Sequence, residues 1–179
     1  MGGWPTFDGY ITEQCQDGMD RLRAMLEGEP DVLRIVEIGT GHGGTSLFFG
    51  SCIQDRGGKV LTVDRERLMD NGYTGWASAA EARGVSFLWG NAFDAHTVDK
   101  VREFISGHRA MLFCDDGDKP HEVNLYAPIL KPGDLLYAHD YGGELKDTDI
   151  LPETAALIED HKQSQFPRNV TIMSRMRKL

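Results

Sequence analysis

Cysteine, positive charge and long apolar runs are all scarce in this chain, and each shortage removes a class of protein from consideration. Only three cysteines occur in 179 residues, Cys15, Cys52 and Cys114, and no two of them form a C-x-x-C pair. Nothing supports a disulfide scaffold, a zinc ribbon or a dithiol redox motif, and reduced thiols are expected. Lys and Arg number 19 against 28 Asp and Glu, for a formal net charge of −9. Nucleic-acid backbones are bound by clustered cations, so no nucleic-acid partner is expected. The most basic stretch, Arg175, Arg177 and Lys178, reads as a solvated tail. No apolar run approaches membrane-spanning length, and Met1 to Tyr10 lacks a basic region followed by an apolar one. A cytoplasmic protein without a membrane partner is the expectation.

Repeats, low-complexity tracts and Pro/Ser-rich linkers are missing as well, so one domain over 1–179 is expected. Its parts read as an N-terminal helical segment (1–30), a core (31–141), and a lid-like loop, helix and edge strand (142–179). What the chain does have is a series of short apolar runs: Val32–Ile38, Lys59–Val63, Val85–Trp89, Ala110–Cys114, Asp134–Ala138 and Val170–Ser174. Continuous apolar character suits strands covered on both faces, as in a parallel sheet. Between them, Met19, Leu22, Met25 and Leu26 share a helical stripe, as do Val98, Val101, Phe104 and Ile105. Thr45–Ile53 and a segment from Glu153 to His161, opened by Pro152, also read as helices. Arg67 to Gly84 reads as a loop leading into a short helix. Alternating strand and helix predicts an α/β fold with a doubly wound, mostly parallel sheet, helices on both faces, and ligands at the carboxyl ends of the strands.

The first strand runs into Glu37-Ile38-Gly39-Thr40-Gly41-His42-Gly43-Gly44 and then into a helix. Glycines there permit a tight turn and let a ligand approach bare backbone, with helix-terminal N–H groups facing it. Gly39, Gly41 and Gly44 satisfy G-x-G-x-x-G, which also occurs as a merely structural turn. Asp64 ends the next strand, where a carboxylate can accept hydrogen bonds from ribose hydroxyls. That position serves a nicotinamide dinucleotide and S-adenosylmethionine equally. Glu37 favours the second, because a carboxylate beside the turn repels pyrophosphate but suits an ammonium or sulfonium. A purely structural Glu37, accepting from nearby backbone N–H groups, is the alternative.

Glu37-Ile38-Gly39-Thr40-Gly41 resembles the first motif of class I S-adenosylmethionine-dependent methyltransferases, and Asp64 matches that family's ribose-binding position. The resemblance extends from about Gln14 to Tyr141 and implies a Rossmann-like methyltransferase sheet whose C-terminal edge is antiparallel. It also implies S-adenosylmethionine as cofactor. Glu37, Gly39, Thr40, Gly41, Gly43, Thr45, Asp64, Arg65 and Asp115 would then border the cofactor, with Asn91, Ala92 and Phe93 at its adenine.

Two further strand ends carry chemistry: Cys114-Asp115-Asp116-Gly117-Asp118 and Ala138-His139-Asp140-Tyr141. Neighbouring strand ends bring Asp115, His139 and Asp140 together, and paired carboxylates call for a cation or a proton between them. An oxygen-rich set with one nitrogen suits Mg²⁺, with Mn²⁺ or Ca²⁺ as substitutes. This part is similar to the metal-dependent O-methyltransferases of the catechol type and their cephalosporin hydroxylase-like and macrolide-sugar methyltransferase relatives. That resemblance places metal ligands at Asp115, His139 and Asp140. The chain departs from the pattern at His139, where those families carry an acid, and at Asp118, where the catechol type has Lys. His139 is chemically suited to act as general base, with Lys119 and His121 as other candidates.

The resulting expectation is methyl transfer to a hydroxyl of a small-molecule acceptor. A nicotinamide-dependent oxidoreductase and a non-catalytic cofactor-binding module stand as the alternatives. Tyr141 to Leu151 reads as a lid, and Trp4, Phe7 and Tyr10 read as a cover for the same pocket or a contact between subunits. Only one C-terminal strand is evident, which leaves that edge reduced or completed by a second copy in a homodimer.

Overall fold

The computed structural model describes residues 5–66, 75–141, 143–164 and 170–176. Trp4, Arg177, Lys178 and residues 67–74 lie outside the described residues. A hairpin of β1 (Thr6–Phe7) and β2 (Tyr10–Ile11) precedes α1 (Gln16–Gly28), so the expected N-terminal helical segment begins with strands. There follow β3 (Val32–Ile38), α2 (Gly44–Ile53), β4 (Lys59–Asp64), α3 (Trp76–Glu81), β5 (Val85–Trp89) and α4 (Ala95–Ile105). The remaining elements are β6 (Arg109–Cys114), α5 (Lys119–Tyr126), β7 (Leu135–Tyr141), α6 (Pro152–Ala156), β8 (Ile158–Ser164) and β9 (Val170–Met176).

Among the described residues seven strands form one sheet in the order β5-β4-β3-β6-β7-β9-β8. The first five are parallel, and β9 runs antiparallel to both β7 and β8. The expected helix from Glu153 to His161 therefore stops after Ala156, and a strand takes its place. That strand completes the antiparallel pair within the chain, which removes the reason for a second copy at this edge. Arg175, expected in a solvated tail, lies in β9 and pairs with Leu135.

Both faces of the sheet are covered, which explains the continuous apolar runs. On β6, Ala110, Leu112 and Cys114 pack on one side with Val98, Val101 and Ile105 of α4 and Val123 and Tyr126 of α5. Met111 and Phe113 pack on the other with Met19, Leu22 and Leu26 of α1 and Leu47, Phe48 and Phe49 of α2. Alternate residues on a strand point to opposite faces, so a doubly covered strand needs apolar residues at every position. The helix α2 is apolar nearly all round because it is enclosed by the sheet, α1 and the hairpin. Its Phe48 meets Phe7 edge-on at 5.8 Å, and Tyr10 is buried in the same cluster. The hairpin aromatics thus pack on α2. No helix among the described residues is long and apolar enough to cross a membrane.

Candidate active site

From β3 the chain winds outward through β4 and β5, then returns to β6 on the opposite side of β3. In open parallel sheets such a reversal leaves a crevice at the carboxyl ends of the two strands. Gly39 follows β3 there and Asp115 follows β6. The Asp115 N–H donates to the Ile38 carbonyl at 2.8 Å, and a Cβ on Gly39 would lie 2.6 Å from the Asp115 carbonyl oxygen. Gly39 also has a φ of 94°. Both conditions require glycine.

A cavity of about 260 Å³ opens at this point. It is lined by Gly39 and Gly41 of the turn, Asp64, Arg65 and Glu66 at the end of β4, Asp115 and Asp116 after β6, and Glu13 from the segment ahead of α1. Five carboxylates against one guanidinium favour a cationic ligand. Asp64 Oδ2 accepts from the N–H groups of Thr40 at 3.0 Å and Gly41 at 3.1 Å, and its Oδ1 accepts from Glu66 N–H at 2.9 Å. Asp64 thereby braces the glycine turn while facing the cavity, and a carboxylate has capacity left for a ribose hydroxyl.

Glu37 is placed differently from Asp64. It is 1% exposed and is not among the cavity-lining residues. Its Oε2 accepts from the Ser46 hydroxyl and, at 2.6 Å, from Thr62 Oγ1, which in turn bonds Thr40 Oγ1 at 2.6 Å. Burial pushes its carboxyl up to about 8 against those two hydrogen bonds, and the nearby Asp115 and Asp64 charges push the same way. Thr45 turns its hydroxyl to the Thr12 carbonyl, and the Gly43 carbonyl accepts from Trp76 Nε1 at 3.2 Å. In the loop after β5, Asn91 Oδ1 accepts from Phe93 N–H at 3.0 Å, and the Ala92 carbonyl accepts from the Tyr126 hydroxyl at 2.5 Å. Phe93 stacks on His121 with ring centroids 4.1 Å apart. Asn91, Ala92 and Phe93 do not line the cavity described above.

Asp115 joins the cavity to a second group of side chains. Its Oδ1 lies 3.2 Å from His139 Nδ1 and 3.4 Å from Lys119 Nζ, and its Oδ2 accepts from Gln14 Nε2 at 2.7 Å. His139 Nδ1 is also 3.3 Å from Asp140 Oδ2. The expected trio is therefore brought together, with Asp140 in a left-handed conformation at φ 57°. Burial would lower the His139 pKa, but the hydrogen bond to Asp115 and the Asp115 and Asp140 charges outweigh it, leaving the imidazole above its ordinary value. Lys119 is 3% exposed and follows the same logic: burial works against its charge, yet Asp115 and Glu144 raise its pKa. Glu144 Oε2 is 2.7 Å from Lys119 Nζ, and this bond lowers the Glu144 pKa.

Asp115, His139 and Asp140 have donor atoms chemically suited to a hard divalent ion. As arranged, however, they close on one another through His139 Nδ1, with the Lys119 ammonium beside Asp115. Among the described residues no group of three or more His, Cys, Asp or Glu side chains is disposed to hold a metal ion. In this arrangement the His139 proton and the Lys119 ammonium lie between the acids, and the donor set stays consistent with Mg²⁺.

Sequence reasoning missed Glu13, Gln14, Glu66, Asp116 and Glu144. Gln14 reaches Asp115 across 101 residues of chain, a contact that no local pattern signals. Asp116 lines the cavity, and Lys119 opens α5 in a buried position. The expected lid is anchored over 143–151. Leu145 is fully buried, and Asn124 bonds both the Asp149 carbonyl and the Leu151 N–H at 2.9 Å.

A doubly wound sheet with a glycine turn after its first parallel strand, an acid at the end of the next, acids at the switch point and an antiparallel pair at its C-terminal edge is the arrangement expected of a class I methyltransferase. Within that class, the rhamnosyl O-methyltransferase/CmcI family matches residues 8–155, and the chain belongs to that family. It is a methyltransferase that uses S-adenosylmethionine, and the nicotinamide reading of the same turn is set aside. No curated protein matches the chain in sequence. Among solved structures it is similar to the O-methyltransferase TomG of Streptomyces achromogenes, which is involved in tomaymycin synthesis and was solved with S-adenosylmethionine. The two are 18% identical over 94% of this chain and 84% of TomG, with a TM-score of 0.62. A Bacillus cereus O-methyltransferase in complex with S-adenosylhomocysteine aligns at 11% identity over 90% of this chain and 82% of its own, with a TM-score of 0.65. A CmcI structure holding magnesium and S-adenosylmethionine is 22% identical over 76% of this chain and 57% of its own, with a TM-score of 0.62.

Proposed function

We propose that this chain transfers the methyl group of S-adenosylmethionine to a hydroxyl oxygen of a small molecule, with His139 as the general base. The observation that carries the proposal is Asp115, which lines the cofactor cavity and at the same time contacts His139 and Lys119. Cofactor and acid–base groups thus share one wall. Asp64 holds the ribose, and Gly39 and Gly41 line the cavity beside it.

In the reaction the acceptor oxygen attacks the methyl carbon, the carbon–sulfur electron pair goes to sulfur, and the hydroxyl proton is transferred to the enzyme. With His139 Nδ1–H donating to the two carboxylates, Nε2 is left to take that proton. Asp115 and Asp140 hold the ring in this orientation and stabilise the imidazolium that forms. Lys119 is raised above its ordinary pKa, so it keeps its proton and serves as a fixed positive charge near the developing oxyanion rather than as the base. The anchored Glu144 and Leu145 hold that charge in place.

Titration calorimetry with S-adenosylhomocysteine, for wild type and Asp64→Ala, tests the cofactor site. Binding that the substitution weakens supports the assignment, and unchanged binding refutes it. An acceptor screen starting with sugar and ring hydroxyls follows, because the family's description names a rhamnosyl acceptor. Turnover unchanged after thorough chelation supports His139 as base, whereas turnover lost on chelation and restored by Mg²⁺ refutes the metal-free mechanism. Cofactor binding without turnover of any acceptor would support the non-catalytic module.

A further inference from the structure

The methionine end of the cofactor carries an α-ammonium, and the carboxylate expected beside the glycine turn, Glu37, points away from the cavity into hydroxyls of α2 and β4. Another carboxylate occupies that place. Glu13 lies on the segment between β2 and α1, and its Oε2 sits directly over Gly41, where a Cβ at Gly41 would collide with it. Its Oε1 pairs with His42 Nδ1 at 3.0 Å, so the turn itself orients the side chain. Glu13 has a φ of 55°, an uncommon conformation for a residue with a side chain. The flanking residues hold it there: the Thr12 carbonyl accepts from Thr45 at the start of α2, and Gln14 Nε2 bonds Asp115 Oδ2 at 2.7 Å. The N-terminal segment is thus fastened to the start of α2 on one side of Glu13 and to Asp115 on the other.

We propose that Glu13 is a cofactor-binding residue that receives the α-ammonium of S-adenosylmethionine, with His42 as its positioning residue. Asp64, Arg65 and Glu66 line the cavity from the end of β4, and Glu13 and Asp115 line it from the segment ahead of α1 and from the end of β6; the first group is assigned to the ribose and the second to the amino-acid portion. The assignment rests on the S-adenosylmethionine reading given above. It adds that the segment preceding α1 belongs to the cofactor site, although no glycine or strand-end signal marks it.

The test is a double comparison by titration calorimetry at about pH 7 on the full chain, using S-adenosylhomocysteine and its deamino analogue, which lacks only the α-amino group. Wild type is expected to bind the deamino analogue about tenfold more weakly, the scale of one charge-assisted hydrogen bond at a partly exposed site. Glu13→Gln is expected to weaken S-adenosylhomocysteine by a similar factor while leaving the deamino analogue within about twofold. Equal losses for both ligands, or no loss for either, overturn the assignment of Glu13 while the cofactor reading stands. Wild-type protein that binds neither ligand overturns the cofactor reading and this assignment with it. His42→Ala is expected to weaken S-adenosylhomocysteine by less than Glu13→Gln, and an effect on the deamino analogue as large as that on S-adenosylhomocysteine refutes its positioning role.

Discussion

Replacing Gly39 with Ala tests whether the close approach of β3 and β6 builds the site. The added Cβ would lie 2.6 Å from the Asp115 carbonyl oxygen, 2.7 Å from its carbon and 2.8 Å from Asp116 N, all backbone atoms that cannot swing aside. The residue would also have to hold a φ of 94°. Left-handed backbone strain costs about 1–3 kcal/mol for a residue with a side chain, and forced overlap adds about 1–3 kcal/mol. A loss of roughly 3–5 kcal/mol is therefore expected at Gly39. Gly57 supplies the control: its φ is 72° and a Cβ there would meet nothing within 4 Å, so Gly57→Ala should cost only about 1–2 kcal/mol. Urea unfolding midpoints of both variants, compared with wild type, read the difference. Because Gly39→Ala must displace the Asp115 backbone, it should also weaken S-adenosylhomocysteine by more than about tenfold, while Gly57→Ala leaves binding unchanged. Equal destabilisation by the two substitutions would refute the claim that steric contact, beyond the dihedral angle, makes Gly39 obligatory.

The unprotonated form of His139 is the active one, so kcat/KM should rise with pH through a midpoint above the ordinary histidine value of about 6.5. His139→Gln should lower kcat by about 10²–10⁴, and a profile that falls over the same range would refute the assignment. The Glu37 carboxyl is raised in the folded chain, so the stability linked to it is fully present below about 4.5 and is lost as pH rises towards about 8. Glu37→Gln should flatten the decline in stability between these limits by up to a few kcal/mol, at about 1.4 kcal/mol for each pH unit, and an unchanged slope in urea unfolding at stepped pH would count against it. Leu145→Ala should cost about 2–5 kcal/mol and reduce turnover by freeing Glu144 from Lys119; lost stability with full turnover would separate the anchor from catalysis.

The sequence alone determined the elements whose physical cause is local. An apolar run bounded by glycine or an acid marks a strand, and β3 and β5 begin and end where those runs do. The glycine turn, Asp64, Asp115, His139 and Asp140 were legible because each stands where an apolar run stops. Local patterns do not encode pairings, and there the tertiary structure decided. The run Ile158-Glu-Asp-His-Lys-Gln-Ser164 is almost wholly polar, yet it is a strand because β9 offers it backbone partners. Glu37 carries the motif but turns into the hydroxyls of Ser46 and Thr62, since the space available between α2 and β4 sets its direction. Glu13 and Gln14 stand far from the motifs in sequence and reach the site because the hairpin is seated on α2, bringing them against Gly41 and Asp115. Identity and strand-end position followed from the order of residues; orientation, charge state and the partners of each carboxylate depended on which surfaces the folded chain brings together.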